Sequence, residues 1–282
     1  MEDKVSFYIP AFNAEKTISQ ALDSILNQSI DIDEILVIDD FSNDKTNEIV
    51  KKYKNVKLIR NSKNMGLGYS RNIAIKECKN KIIGSIDSDV VLDKEWTSIL
   101  LNKLKEDQIV ICGGKMIEKI TNTPANKWRS VYYSQNWGDF DNPNPPFLFG
   151  CNTLQFKTIW EEVGGYDQDL KTNGEDINFC SKISKSNKYK TYYSSSAICY
   201  HLQDDDINSL SKRVWRYHSF GYKIKKPSLL KLIKLTIKQF KIFIKRLISN
   251  ILNFEFIFIY IALIVFFNFV KLEYNNFKNS KK

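Results

Sequence analysis

Between Val5 and Leu92, strand-length apolar runs alternate with segments of helical period, and this alternation constrains the chain more than any other feature. Val5–Ile9 reads as a strand, and Ile18, Leu22, Ile25 and Leu26 recur at helical spacing within Glu15–Gln28. Glu34–Ile38 is a continuous apolar strand running into Asp39-Asp40, after which Ser42-Asn43-Asp44 makes a turn able to cap a helix over Lys45–Tyr53. Val56–Arg60 is a short strand, Leu67–Cys78 is helical, and Ile82–Ile86 is a further strand that runs into Asp87-Ser88-Asp89. Such a pattern predicts an α/β fold, a sheet mainly of parallel strands with helices on both faces. Ligands of these sheets sit at the carboxyl ends of the strands.

Polar residues gather at those predicted ends: Pro10 and Asn13 after the first strand, Asp39 and Asp40 after the second, Asp87 and Asp89 after the fourth. Two carboxylates one residue apart repel each other, and burying either is costly. A divalent cation between them would relieve the repulsion; a solvated turn would need no ligand at all. Three such ends on one sheet edge favour a site.

Composition narrows the classes. At 282 residues and 43% hydrophobic content, the chain can build one large core with an appendage. The five cysteines are scattered and form no C-x-x-C pair, which argues against a disulfide framework or a zinc site and for a reducing compartment. Asp3 and Lys4 lead directly into the first strand, so no secretory leader is expected and the catalytic part is placed in the cytoplasm. Residues 121–150, rich in Asn, Pro and aromatics, read as an irregular excursion, either a loop over the site or a packed connector. Phe147–Phe156 then reads as a strand and Thr158–Val163 as a helix ending at Gly164-Gly165.

The segments VSFYIPAFNAEKTISQALDSILNQ, EILVIDDFSNDKT, NMGLGYSRNIAI, Asp87-Ser88-Asp89, FGCNTLQF and GGYDQDLKTNGEDINFC follow one another in the order and spacing of the family 2 glycosyltransferases. The chain resembles that family over about residues 4–220. The resemblance implies the GT-A fold, a Rossmann-like nucleotide-diphospho-sugar transferase architecture, and transfer of a sugar from a nucleotide-diphosphate sugar to an acceptor hydroxyl. It implies that Asp87 and Asp89 hold a divalent cation, Mg2+ or Mn2+, with His201 as a further ligand, against a leaving diphosphate that gains charge. It implies that Pro10, Ala11, Phe12, Asp40, Arg71, Asp87 and Ser88 line the nucleotide sugar, Asp40 accepting from the base and UDP being the default nucleotide. It implies that Asp176 is the base that deprotonates the acceptor, with Glu175 assisting. One base on the face opposite the leaving group means inversion at the anomeric carbon. The Q-x-x-R-W signature of processive synthases is not found, so transfer of single sugars is expected.

The net charge of +10 is uneven: Ile207–Arg246 holds no Asp or Glu. On a helix, Lys231, Lys234, Lys238, Lys241 and Lys245 fall within an arc of about 80°, beside a broad apolar face. This describes a helix lying among the headgroups of an anionic membrane. Leu247–Val270 carries a single charge, Glu255, and is long enough to span a bilayer, the favoured reading, beside a re-entrant or purely interfacial anchor and a core helix. The expected domains are therefore a glycosyltransferase domain over 1–222, a basic interfacial helix over 223–248 and a hydrophobic membrane segment with a basic tail over 249–282. The expected partners are a sugar nucleotide, a lipid-linked or glycan acceptor and anionic lipid, with the enzyme on the cytoplasmic face of the cell membrane. Competing readings are a catalytically silent scaffold on the same fold and a basic nucleic-acid binder. The three acids count against the first; the interleaved Ile and Leu of the basic block count against the second, so no nucleic acid is expected.

Overall fold

The computed structural model describes residues 4–170, 172–219 and 228–279. Its elements are β1 (Val5–Ala11), α1 (Ile18–Leu26), β2 (Glu34–Asp39), α2 (Thr46–Val50), β3 (Val56–Arg60), α3 (Leu67–Glu77), β4 (Ile82–Ile86), β5 (Val90–Leu92), α4 (Trp96–Leu104) and β6 (Ile109–Glu118). There follow α5 (Pro124–Tyr132), β7 (Asn142–Pro143), β8 (Asn152–Phe156), α6 (Lys157–Glu162), α7 (Glu175–Lys185), β9 (Lys190–His201), α8 (Ile207–Ser219), α9 (Leu229–Leu252) and α10 (Phe256–Asn279).

The chain divides into two compact units, one of residues 1–119 and 135–202 and the other of residues 120–134 and 203–282. The boundary expected between 222 and 223 lies outside the described residues. The first unit is a mixed α/β sheet in the order β3-β2-β1-β4-β8-β6-β9-β5, with β7 paired to β9. The expected parallel block is present: β1 pairs β2 and β4 in parallel, and β2 pairs β3 in parallel. The strands β1 and β4 are buried at every position, as strands covered on both faces must be. The register sets Ala11 beside Asp39 and Asp39 beside Arg60, so these strands end level. Antiparallel pairs enter with β8, which sets Asn152 beside Ile86 and so brings the chain just before β8 to the same edge. Strands β6 and β9 run parallel to each other and place Glu118 beside His201 at their carboxyl ends. All five cysteines are free and buried in this unit.

The second unit is helical. Its core joins Ala125 and Trp128 of α5, Leu210 and Val214 of α8, and Phe258, Ile261, Ala262 and Val265 of α10. The reading of 121–150 as irregular missed α5: Thr123 caps its start, accepting from Asn126 N, and Pro124 occupies the first helical position, where its missing N–H costs nothing. Asp205, fully buried, lies between Arg129 at 3.2 Å and Arg213 at 3.1 Å. The Arg246 guanidinium of α9 lies 4.7 Å from the Trp128 and Tyr132 ring centres and 4.8 Å from that of Tyr133. Three rings around one guanidinium tie α9 to α5. Arg246→Ala is expected to cost about 2 kcal/mol, against no more than about 0.5 kcal/mol for the exposed neighbour Lys245→Ala; urea unfolding of the two variants checks this.

Candidate active site

Five strand ends, of β1, β2, β4, β6 and β9, and one helix start lie at the carboxyl edge of the sheet in the first unit. Asp87, Ser88 and Asp89 follow β4, half-buried. Glu175 and Asp176 open α7, and Gly174 before them has φ 86°, the left-handed region that lets the chain turn sharply into the helix. The positive end of the helix favours two acids in that first turn.

Arg71, on α3, joins these pieces. Its side chain is 1% exposed. Nη1 donates to Ser85 Oγ at 2.7 Å and to the Gly150 carbonyl at 2.6 Å, and Nη2 donates to Asp87 Oδ1 at 2.8 Å. Nε lies 3.4 Å from Glu175 Oε1. The Gly150 amide in turn donates to Asp176 Oδ2 at 3.1 Å. A Cβ at Gly150 would come within 3.1 Å of Asp176 Cβ and 3.3 Å of Arg71 Cζ, so a side chain there would press on both groups. Arg71, expected at the nucleotide sugar, is buried and bonded to Asp87, with Glu175 close by.

Burial raises the pKa of Glu175, and the neighbouring Asp176 carboxylate raises it further against the pull of Arg71. Burial also raises Asp176, opposed by the Gly150 and Ile177 amides. Both directions suit acids that exchange protons nearer neutral pH than ordinary carboxyls do.

Asp89 Oδ2 stands 3.4 Å from His201 Nε2, and both Glu118 carboxylate oxygens are 3.0 Å from His201 Nδ1. Burial alone would lower the His201 pKa; Asp89 and Glu118 outweigh it and lift it to about 9. Asp87, bonded to Arg71 through Oδ1, is near enough to feel the charges of both Asp89 and His201. Among the described residues no three His, Cys, Asp or Glu side chains converge as a ready cation cage, so the expected set of Asp87, Asp89 and His201 is not preassembled. The donor chemistry still fits: Mg2+ or Mn2+ in nucleotide sites takes one or two protein ligands and completes its shell from phosphates and water. Asp89 supplies a hard oxygen. His201, with Nδ1 held by Glu118, turns Nε2 toward it, the usual orientation of a metal-bound imidazole.

The far side of the edge carries the other expected residues. Pro10 and Ala11 are buried at the end of β1, and Phe12 beyond them is 51% exposed. Asp40 accepts from Asn61 Nδ2, Met65 N and Gly66 N, each at 2.8 Å, which leaves about one of its four acceptor directions for a ligand. Asp39 is occupied structurally by Ser42 N, Asn47 Nδ2 and Arg60. Phe41 was not foreseen: it holds φ 69°, rare for a bulky residue, with its ring exposed and the Arg60 guanidinium 5.3 Å from its centre.

A profile described as "Glycosyl transferase family 2" matches residues 6–164. The chain is a family 2 glycosyltransferase. The chondroitin synthase of Escherichia coli is 27% identical over 245 residues, covering 84% of this chain and 34% of that one, so this transferase spans about a third of that relative's length. Solved structures agree in fold. The mannosyltransferase PcManGT from Pyrobaculum calidifontis, in complex with GDP-Man and Mn2+, superposes with a TM-score of 0.61 at 16% identity over 84% of this chain and 64% of that one. S. aureus TarS 1–349 in complex with UDP gives 0.52 at 21% identity over 77% of this chain and 72% of that one. These transferases carry the GT-A fold, which is therefore the fold of this glycosyltransferase.

Glu118, Ser85, Gly150 and Phe41 are residues of the candidate site that sequence reasoning did not single out. Glu118 and His201 are far apart in the chain, and only the β6–β9 register unites them. Ser85, a small polar residue within an apolar strand, was a faint signal.

The raised Glu175 pKa sets a pH dependence. Between the ordinary glutamate range and the raised value, the folded enzyme binds more protons than the unfolded chain, so stability falls as pH rises through that window. Thermal unfolding followed from pH 5 upward is expected to show Tm declining in the wild type and a shallower decline in Glu175→Gln.

Proposed function

We propose that this family 2 glycosyltransferase moves a single sugar, with inversion, from a UDP-sugar to an acceptor hydroxyl, with a divalent cation at the diphosphate. The observation that carries the reading is the Arg71–Gly150 junction: Asp87 on the donor side and Glu175–Asp176 on the acceptor side are held by one guanidinium and one peptide group. A transferase must fix its leaving group and its base relative to each other, because effective catalysis depends on that orientation. Asp176 takes the acceptor proton as attack proceeds. Glu175, deeper and beside Arg71, keeps Asp176 oriented and tunes its proton affinity. Asp40, with one acceptor direction left, reads the N–H of the base, and Phe12 and Phe41 offer exposed rings beside it. Asp87 and Ser88 face the sugar nucleotide. Asp89 and His201 hold the cation, which when bound neutralises charge on the departing diphosphate. That TarS was solved with UDP and PcManGT with Mn2+ supports the donor and cation classes.

The acceptor we propose is a lipid-linked or surface glycan at the cytoplasmic face of the membrane. Its support is α10, the helix among the described residues that is long and apolar enough to cross a bilayer, together with the basic α9.

Calorimetric titration of UDP with and without Mn2+ tests the donor site. Mn2+-dependent binding that is lost in Asp89→Ala is the expected result; equal binding in the two proteins would remove Asp89 from the site. Asp176→Asn is expected to lower transfer by about 10²–10⁴-fold with UDP affinity unchanged. An equal loss in both would place Asp176 in donor binding. Glu118→Ala is expected to weaken Mn2+ binding about 10- to 100-fold, read by the paramagnetic resonance of free Mn2+.

A further inference from the structure

The helical unit shows a feature that the membrane-spanning expectation does not accommodate. Helix α10 packs one face into the apolar core with α5 and α8 and, toward its end, makes polar contacts to α8. Phe258, Ile261, Ala262, Val265 and Phe269 are buried on one face. On the same side Asn268 Nδ2 donates to Ser211 Oγ at 3.1 Å, while Trp215 Nε1 at 2.9 Å and Ser219 Oγ at 2.7 Å donate to the buried Glu273 carboxylate. These partners lie on α8, which also carries Lys212 and Arg216, both exposed. If α10 crossed a bilayer, α8 and its cations would enter the hydrocarbon with it, where charge is expensive.

The opposite face of α10 is apolar and exposed: Phe256, Tyr260, Leu263, Phe267 and Tyr274 recur at helical spacing. Helix α9 repeats the arrangement. Leu230, Ile233, Ile237, Phe240, Ile248 and Ile251 are exposed, whereas Gln239 and Asn250 are buried. The exposed Lys234, Lys238, Lys241 and Lys245 run beside that apolar face. From Lys234 to Lys245 the row covers about 16 Å of helix axis. A lysine row of that length parallel to an apolar row suits a helix lying flat, with its cations level with the headgroups.

We infer that α9 and α10 form an in-plane membrane seat, immersed in one leaflet by their exposed apolar faces and held on anionic lipid by the α9 lysines, and that α10 does not cross. This rests on the membrane reading above and replaces its spanning form. The lipid is chosen as occupant by charge: the apolar faces adjoin a cationic row in a segment with no acid from Ile207 to Arg246.

The test uses the full chain. Because the native cysteines are all buried, a nitroxide can be directed to one new cysteine at a time, in Phe256→Cys, Leu263→Cys and Tyr274→Cys. With phosphatidylcholine vesicles containing phosphatidylglycerol, the expected result is a similar, shallow immersion at all three sites, about 5–10 Å. A depth that reaches the midplane at Leu263→Cys and returns on the far side at Tyr274→Cys would overturn the inference. So would labels shielded from lipid by a second copy of the chain, seen as a dimer in light scattering. The unlabelled protein gives an independent reading. It should join preformed anionic vesicles, leave them at high salt, and lose at least about tenfold in affinity when Lys234, Lys238, Lys241 and Lys245 are all changed to Gln. Retention at high salt, as a spanning helix requires, would overturn the inference. UDP binding measured without vesicles separates a failure of this seat from a failure of the transferase reading.

Discussion

The Arg71 guanidinium is the constraint on which the site depends. Burial works against a charged guanidinium, and the carboxylates around it outweigh that penalty, lifting its pKa well above the ordinary value. Buried charge survives only where partners surround it. Here the partners are the acids proposed above for donor and acceptor: Asp87 directly, Glu175 at the edge of contact, and Asp176 through the Gly150 peptide. Removing Arg71 would leave two acids to repel each other without a counter-charge. The arginine therefore costs the fold little beyond what the acids already require, and it fixes their spacing. Lysine could supply the charge, but it lacks the planar fork that reaches Ser85, Gly150 and Asp87 at once.

The same reasoning revises the account of the paired carboxylates after β4. Their repulsion suggested a cation from outside. In the folded chain each already faces a basic group of the protein, Arg71 for Asp87 and His201 for Asp89. Each acid thereby has a basic partner of its own. Glu118 behind His201 fixes which ring nitrogen turns toward Asp89. Preorganisation of this kind spares the reorganisation that a flexible acid pair would undergo at the moment of reaction.

What could be read from the sequence was local. Strands β1, β2 and β4 announce themselves because strands buried on both faces are continuous apolar runs, and the acids at their ends are the interruption. The Glu175-Asp176 pair was singled out in the sequence, and Gly174 before it gives the tight entry into α7 that calls for a residue tolerant of positive φ. The role of Arg71 was not legible. Its position on α3 identifies it, but whether it faces a ligand or the core depends on α7 and on the chain before β8, far away in sequence. Phe41 hid for another reason: nothing in the sequence marks a phenylalanine held at positive φ. Helix α5 hid behind Asn, Pro and aromatic residues, although Thr123-Pro124 is a sound helix start; the aromatics that looked irregular are the rings around Arg246.

The C-terminal helices show the limit of composition more sharply. Hydropathy alone makes α10 a candidate to cross a bilayer. Hydropathy does not register which residues are already spoken for. Glu273, near the end of that helix, is buried and takes two hydrogen bonds from α8, and Asn268 gives a third contact to the same helix. A polar residue inside an apolar helix is tolerated in lipid only when satisfied, and satisfaction here comes from a helix too polar to follow it into the hydrocarbon. The partners of Glu273 and Asn268 therefore determine where α10 can lie, and they leave its apolar surplus on a single face.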